Sequence, residues 1–228
     1  TPSRQRMTEE FAKFFDEWTS KNKYYLVTGS DIDKTKEQVP IAYIDRANGI
    51  FTCCGNQFYI EDELVYENKF TPPDSLIKYL EDTLDGSDYP IKAGVHIEDR
   101  GSMLNFSMVG RRCSLQQRKD YFRYDNLVGE REKIASAIRF NWSKLDAVIG
   151  GQISIDIYPK GKDKSQVLDV IKQTEIIKPD EYIFIGDKIE GGGNDYPLAK
   201  LMEKIDNGSY HQTEGPGETQ KILEKLSD

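Results

Sequence analysis

Residues Phe184 to Asp195 read FIGDKIEGGGND, an apolar run followed by charged, amide and glycine residues. The run carries the carboxylates of Asp187 and Asp195 and the amide of Asn194 onto a glycine-rich loop at the end of a predicted strand. Oxygen donors in such a loop are the ligands that Mg²⁺ takes beside a phosphate group. The stretch therefore predicts an α/β protein that handles phosphate esters.

The composition excludes several classes of protein. The chain has 228 residues, a hydrophobic fraction of 37% and a formal net charge of −8, which allows one large domain or a core with an inserted second domain. The acidic excess disfavours nucleic acid as a partner. No apolar run approaches the roughly 20 residues that span a bilayer, and the opening residues contain no signal-peptide run, so we expect a soluble, cytoplasmic protein without membrane contact.

Three cysteines, two of them adjacent, predict buried or partly buried thiols rather than a disulfide framework or a zinc cluster.

Both ends of the chain alternate between strands and helices, as α/β proteins do. The patterns of the first part predict helices over 7–18 and 33–39 and strands over 24–27, 41–45, 49–54, 56–60 and 63–67. Those of the last part predict helices over 163–171, 196–205 and 215–226 and strands over 182–187 and 209–213. We expect these two parts to share one doubly wound parallel sheet.

The middle of the chain has a different pattern. It predicts a helix over 72–84, a hairpin over 94–112, a helix over 131–142 and strands over 147–159. This block is interpreted as an α+β cap domain, residues 66–160, inserted into a core made of residues 1–65 and 161–228.

Three presumed strand ends carry chemistry. Thr28-Gly29-Ser30, the Asp163-Lys164 pair and the loop that begins at Asp187 supply the hydroxyls, ammonium and carboxylate that neutralise a phosphoryl group in transfer. This set resembles the haloacid dehalogenase superfamily. Four further segments resemble, in the right order, the eukaryotic-type phosphomannomutase family within it: TPSRQRM (1–7), RGSMLNFSMVGRRCSLQQR (100–118), GGQISIDIYPKGKDK (150–164) and GDKIEGGGND (186–195).

The resemblance implies a role for individual residues. Sugar-phosphate binding is implied for Arg4, Arg100, Arg111, Arg118, Ser154, Asp156, Thr28, Ser30 and Asn194. It makes Lys164 the lysine that balances the charge of the nucleophile and phosphoryl group, Asp187 a catalytic Mg²⁺ ligand and Asp195 a second residue of the metal site.

Residue patterns leave some of these roles open. Thr28 and Ser30 suit either a helix cap or a phosphate site, because a helix N-terminus also binds anions. Ser154 and Asp156 alternate with isoleucines, so they share the strand face opposite the apolar one. We expect that face to look onto the substrate.

One departure from the family pattern concerns the nucleophile. In the family, Asp-x-Asp-Gly-Thr-Leu stands directly before TPSRQ, and its two aspartates are the nucleophile and the general acid/base. That motif does not occur in residues 1–228. We therefore expect this chain to be a fragment that lacks the first core strand and is inactive as written.

The activity implied by the resemblance is the interconversion of mannose 6-phosphate and mannose 1-phosphate in mannose metabolism and GDP-mannose biosynthesis. Mg²⁺ and an activating hexose 1,6-bisphosphate are the implied cofactors, with an aspartyl phosphate as intermediate. The first alternative is a Mg²⁺-dependent sugar phosphatase of the same superfamily, because the segment YPLAK (196–200) also resembles sequences of such phosphatases. The second alternative is a non-catalytic phosphosugar-binding protein. The residues leave mannose and glucose phosphates open. Family members are often homodimers through the cap, although no apolar patch in this sequence requires one.

Overall fold

A computed structural model describes residues 6–175 and 179–226. The chain divides into two compact units: a core unit that ends at Glu67 and resumes at Asp163, and a cap unit, Asn68–Lys162. The boundaries expected from the sequence lie within two residues of these. None of the helices that the structure describes is both long and apolar enough to cross a membrane.

The first part of the core unit is mostly as predicted. Its elements are α1 (Glu9–Thr19), β1 (Tyr25–Val27), α2 (Ile32–Gln38), α3 (Ile41–Asp45), β2 (Gly49–Thr52), β3 (Gln57–Ile60) and β4 (Glu63–Glu67). The strand predicted over 41–45 is wrong, because this segment is helix α3. Pro40 stands at its N-cap, directly before the first helical residue, and the helix buries Tyr43 and Ile44. The predicted strand over 49–54 stops early, since Cys53–Gly55 forms a short 3₁₀ turn.

The cap unit is an antiparallel sheet with helices. Its elements are α4 (Asp74–Asp85), β5 (Ile97–Asp99), β6 (Leu104–Ser107), α5 (Leu115–Val128), α6 (Glu130–Asn141), β7 (Leu145–Gly150) and β8 (Ser154–Pro159). The strands pair in the order β5-β6-β8-β7, and the predicted hairpin is β5 with β6. Helix α5 is absent from the sequence prediction because its polar surface has little periodicity. Its only local signal is the capping box of Ser114 and Gln117.

The chain then returns to the core unit. The remaining elements are α7 (Gln166–Thr174), β9 (Tyr182–Gly186), α8 (Tyr196–Met202), β10 (Gly208–Gln212) and α9 (Pro216–Leu226). They alternate as the sequence predicts. Cys53, Cys54 and Cys113 are buried thiols, which confirms the cysteine prediction.

The described strands of the core unit form two hydrogen-bonded sheets, β1-β2-β3-β4 and β10-β9, with β1 parallel to β2 and β9 parallel to β10. Side chains of β1 alternate between two apolar clusters. Tyr25 and Val27 lie in a cluster with α7, whereas Leu26 lies in a cluster with α1 and α9. Strand β9 contributes to both clusters, so the two sheets share helices on both faces. This layering is the doubly wound α/β arrangement.

Candidate phosphate-binding sites in the two units

A buried ion pair lies at the centre of the core unit's polar site. Lys164 Nζ lies 2.5 Å from Asp195 Oδ1 and 3.4 Å from Asn194 Oδ1, and the Lys164 and Asp195 side chains are 6% and 5% exposed. Burial opposes the charged form of both groups, but each charge stabilises the other. The pKa of Lys164 is consequently raised and that of Asp195 lowered. Both groups are therefore charged at neutral pH.

The second oxygen of Asp195 fixes the loop after β9. Asp195 Oδ2 accepts hydrogen bonds from the backbone N–H groups of Asp187 and Lys188, at 3.1 and 3.0 Å. A Cβ at Gly186 would lie 2.9 Å from this oxygen, so the close approach needs glycine. As a result the exposed side chain of Asp187 stands directly at the carboxyl end of β9.

The donors of this loop suit Mg²⁺ in kind, because carboxylate and amide oxygens are its usual ligands. Asp187 offers an exposed carboxylate, while both oxygens of Asp195 already accept hydrogen bonds. Within residues 6–175 and 179–226, no three acidic, histidine or cysteine residues form a group that could hold a metal. These residues therefore fit part of a metal site, and the ligand roles of Asp187 and Asp195 stay predictions.

The Thr28–Ser30 loop follows β1 and is fixed by backbone hydrogen bonds. The Ser30 N–H donates to Thr28 Oγ1 at 3.0 Å, and the N–H groups of Cys53 and Cys54 donate to the carbonyls of Ser30 and Thr28 at 2.9 and 3.0 Å. Asp31, and neither Thr28 nor Ser30, is the N-cap of α2. The capping alternative for the two hydroxyls is therefore wrong.

A short turn next to this loop is a feature that the sequence did not reveal. Cys53 and Cys54 adopt φ values of 50° and 59°, a conformation unusual outside glycine. Gln166, in the first turn of α7, donates to the Cys54 carbonyl at 3.4 Å and to Asn56 Oδ1 at 3.3 Å. Since Gln166 is two residues from Lys164, the turn joins the Thr28–Ser30 loop to the lysine.

The cap unit has a polar sheet face of its own. Ser154 and Asp156 on β8 pair in register with Ser107 and Asn105 on β6, so all four side chains share one face. Asn105 Nδ2 donates to Asp156 Oδ1 at 2.6 Å, and all four residues are buried. The prediction that Ser154 and Asp156 lie opposite the apolar face is confirmed, because the isoleucines between them pack in the cap's hydrophobic core.

Two of the predicted arginines are grouped around a carboxylate that the sequence analysis missed. Glu98 Oε2 accepts hydrogen bonds from Arg100 Nε, at 2.9 Å, and from Arg100 Nη2, and it lies 3.7 Å from Arg111 Nε. Arg111 Nη1 donates to Ser154 Oγ at 3.2 Å. Arg118 is buried in the first turn of α5. Arg4 lies outside the described residues.

A second buried ion pair in the cap unit was also missed. Arg131 donates to Asp125 through its backbone N–H at 2.8 Å and through Nε at 2.7 Å. Its Nη1 donates to the carbonyls of Gly151 and Ser154, at 3.1 and 3.3 Å. The pair therefore fixes the β7–β8 turn and the start of the strand that carries Ser154.

Comparison with known proteins places this chain in a family. Residues 11–228 match the model for "Eukaryotic phosphomannomutase". The phosphomannomutase of Encephalitozoon cuniculi is 36% identical over 208 residues, covering 86% of this chain and 78% of that protein. The phosphomannomutase of Galdieria sulphuraria is 29% identical over 238 residues, covering 99% and 90%.

Solved structures share the fold at low sequence identity. The C-terminal domain of Candida albicans trehalose-6-phosphate phosphatase matches with a TM-score of 0.67 at 14% identity, over 100% of this chain and 86% of that one. A subclass IIB sugar phosphatase of the HAD superfamily matches with a TM-score of 0.60 at 14% identity, over 97% and 92%. These matches confirm the predicted fold class, a haloacid-dehalogenase-like α/β core with an inserted α+β cap. By its sequence match over nearly its whole length and by its fold, the chain belongs to the eukaryotic phosphomannomutase family.

Proposed function

We propose that the protein interconverts mannose 6-phosphate and mannose 1-phosphate. The observation that carries the proposal is that each unit holds its own cationic group: Lys164, which donates to Asn194 Oδ1, in the core unit, and Arg100 with Arg111, which donates to Ser154 Oγ, in the cap unit. A hexose bisphosphate has two anionic ends and needs two such groups. The relatives named phosphomannomutase support mannose as the sugar.

In the core unit, the residues stabilise the phosphoryl group that is transferred. The Lys164 ammonium, held by Asp195, offsets negative charge on the phosphoryl oxygens, and the hydroxyls of Thr28 and Ser30 donate hydrogen bonds to them. Asp187, with Asp195 as the second residue of the site, would hold Mg²⁺, which when bound supplies further charge neutralisation. In the family, the covalent acceptor of the phosphoryl group is the first aspartate of the Asp-x-Asp-Gly-Thr-Leu motif, which residues 1–228 do not contain.

In the cap unit, the residues bind the end of the sugar phosphate that does not react. Arg100, Arg111 and Arg118 bind the phosphate, because guanidinium groups form paired hydrogen bonds with its oxygens. Ser154 and Asp156 bind sugar hydroxyls from the polar face of the sheet. Binding through the remote phosphate orients the sugar for transfer at its other end.

We further propose that hexose 1,6-bisphosphate is the activator, that the protein is cytoplasmic and supplies GDP-mannose biosynthesis, and that it forms a homodimer through the cap. Two apolar side chains of the cap helices, Leu127 and Phe140, are each 86% exposed, which supports a contact with a second copy. Sedimentation velocity on Phe140→Asp tests the dimer. A variant that stays as dimeric as the parent would contradict the assignment.

The activity is tested by following the full-length gene product with ³¹P NMR. Mannose 1-phosphate, Mg²⁺ and glucose 1,6-bisphosphate are supplied, and we expect mannose 6-phosphate to appear only when the bisphosphate is present. Free phosphate accumulating without the bisphosphate would favour the sugar phosphatase. Binding without any turnover would favour the non-catalytic alternative. Parallel runs with glucose 1-phosphate measure the preference between the two sugars.

A further inference from the structure

Glu98 occupies a central position among the cap residues expected to bind substrate. It lies on β5 opposite Asn105 of β6, which in turn lies opposite Asp156 of β8. The three side chains therefore form a polar row across three strands.

The carboxylate of Glu98 connects the two arginines. Its Oε2 accepts from Arg100 Nε at 2.9 Å and lies 3.7 Å from Arg111 Nε. Arg111 continues the connection to Ser154 through a 3.2 Å hydrogen bond. A chain of contacts thus runs from the turn after β5, through the segment after β6, to the start of β8.

Charge and burial explain why a carboxylate is needed here. The side chain of Arg100 is 4% exposed and that of Arg111 is 15% exposed. A guanidinium removed from water needs a counter-charge, and long arginine side chains lose rotamer freedom when they are held in one geometry. A carboxylate at the Nε edge supplies the counter-charge. It also holds the arginine side chains in place, which reduces the loss of side-chain entropy that ligand binding must still overcome.

We propose that Glu98 is a positioning residue for sugar-phosphate binding, which holds Arg100 and Arg111 in the orientation that receives the phosphate. This inference rests on the proposed function, because it takes the two arginines to be phosphate ligands. Glu98 itself does not bind the phosphate, since both carry negative charge. It acts only through the arginines.

The test measures binding of mannose 1-phosphate to the full-length gene product by isothermal titration calorimetry. We expect Glu98→Ala to raise the Kd about tenfold, as loss of an orienting partner commonly does. Glu98→Gln keeps the size and one acceptor oxygen but loses the charge, so its Kd should lie between those of the parent and Glu98→Ala. Thermal unfolding identifies a variant that fails to fold. The matched control is Glu132→Ala, which removes an exposed carboxylate of the cap unit paired with Arg139 and should leave the Kd unchanged.

A positioning role has a signature that a purely structural role lacks. If Glu98 acts through Arg100, the loss in Glu98→Ala combined with Arg100→Ala is smaller than the product of the two separate losses. Multiplicative losses, or variants that bind as tightly as the parent or more tightly, would overturn the proposal while leaving the proposed function intact. A parent protein that shows no saturable binding of mannose 1-phosphate would overturn both.

Discussion

Removal of one partner from the buried pair of Asp125 and Arg131 should strongly destabilise the cap unit. Both side chains are nearly excluded from solvent, with 9% and 4% exposed, and the carboxylate accepts two hydrogen bonds from Arg131. Asp125→Ala leaves the guanidinium buried without this counter-charge. Removing one partner of a buried pair typically costs about 3–5 kcal/mol, and we expect a loss of that size in the free energy of unfolding. Asp125→Asn, which keeps one acceptor oxygen, should lose less.

The assay is urea denaturation followed by tryptophan fluorescence. The chain has two tryptophans, of which Trp142 packs against the hydrophobic core of the cap unit and Trp18 lies in the core unit. In a Trp18→Phe background, the fluorescence therefore reports on the cap unit. Glu132→Ala, which breaks an exposed ion pair, is the control and should cost less than about 1 kcal/mol. A loss below about 1 kcal/mol in Asp125→Ala would refute the argument that this pair must stay together.

Three further changes test other parts of the structure. Lys164→Met leaves Asp195 buried without its counter-charge, so we expect the free energy of unfolding at pH 7 to fall by about 3–5 kcal/mol in urea denaturation. Because the folded-state pKa of Asp195 is lowered, the parent loses the stability that the ionised carboxylate contributes as pH falls through that pKa. The stability of the variant should therefore depend less on acid pH. Tyr25→Phe removes a 2.6 Å hydrogen bond to Glu175, which lowers the pKa of that carboxyl in the parent. We expect the pKa of Glu175 to rise in an NMR titration of the variant and the free energy of unfolding to fall by about 1 kcal/mol near neutral pH. An unchanged pKa would contradict the contact. In Gly110→Ala the new Cβ would lie 2.3 Å from the backbone oxygen of Ala93, at a position whose φ is +83°. We expect thermal unfolding to show a loss of about 1–3 kcal/mol in the free energy of unfolding. An unchanged melting temperature would mean that the turn relaxes.

Two of the core-site candidates can be predicted from where they stand along the chain. Thr28 and Asp187 each directly follow an apolar run, and a run of that kind marks a strand end whether or not its partners are known. The residue pattern places Lys164 at a presumed strand end, but its charge-balancing role is implied only by the resemblance, since a lysine in a first helical turn is usually solvated. The strand predicted over 41–45 is wrong because five residues are too few to separate the helical periodicity from the strand periodicity.

The pairs that organise the cap could not be read from the sequence. Glu98 meets Arg111 only because β5, β6 and the segment after β6 are brought together, and charged residues along a chain carry no sign of their partners. Asp125 and Arg131 belong to consecutive helices joined at Gly129, whose φ of 66° sets the angle between them. These contacts depend on tertiary geometry.

The turn at Cys53 and Cys54 has a consequence for the motion of the core site. Both of its N–H groups donate into the Thr28–Ser30 loop, and its carbonyl side is held by Gln166. Movement of the loop away from the turn breaks the two hydrogen bonds that the N–H groups of Cys53 and Cys54 donate. The amide hydrogens of Cys53 and Cys54 should therefore show one common free energy of opening in deuterium exchange, so these two backbone protons report how stably the Thr28–Ser30 loop is held.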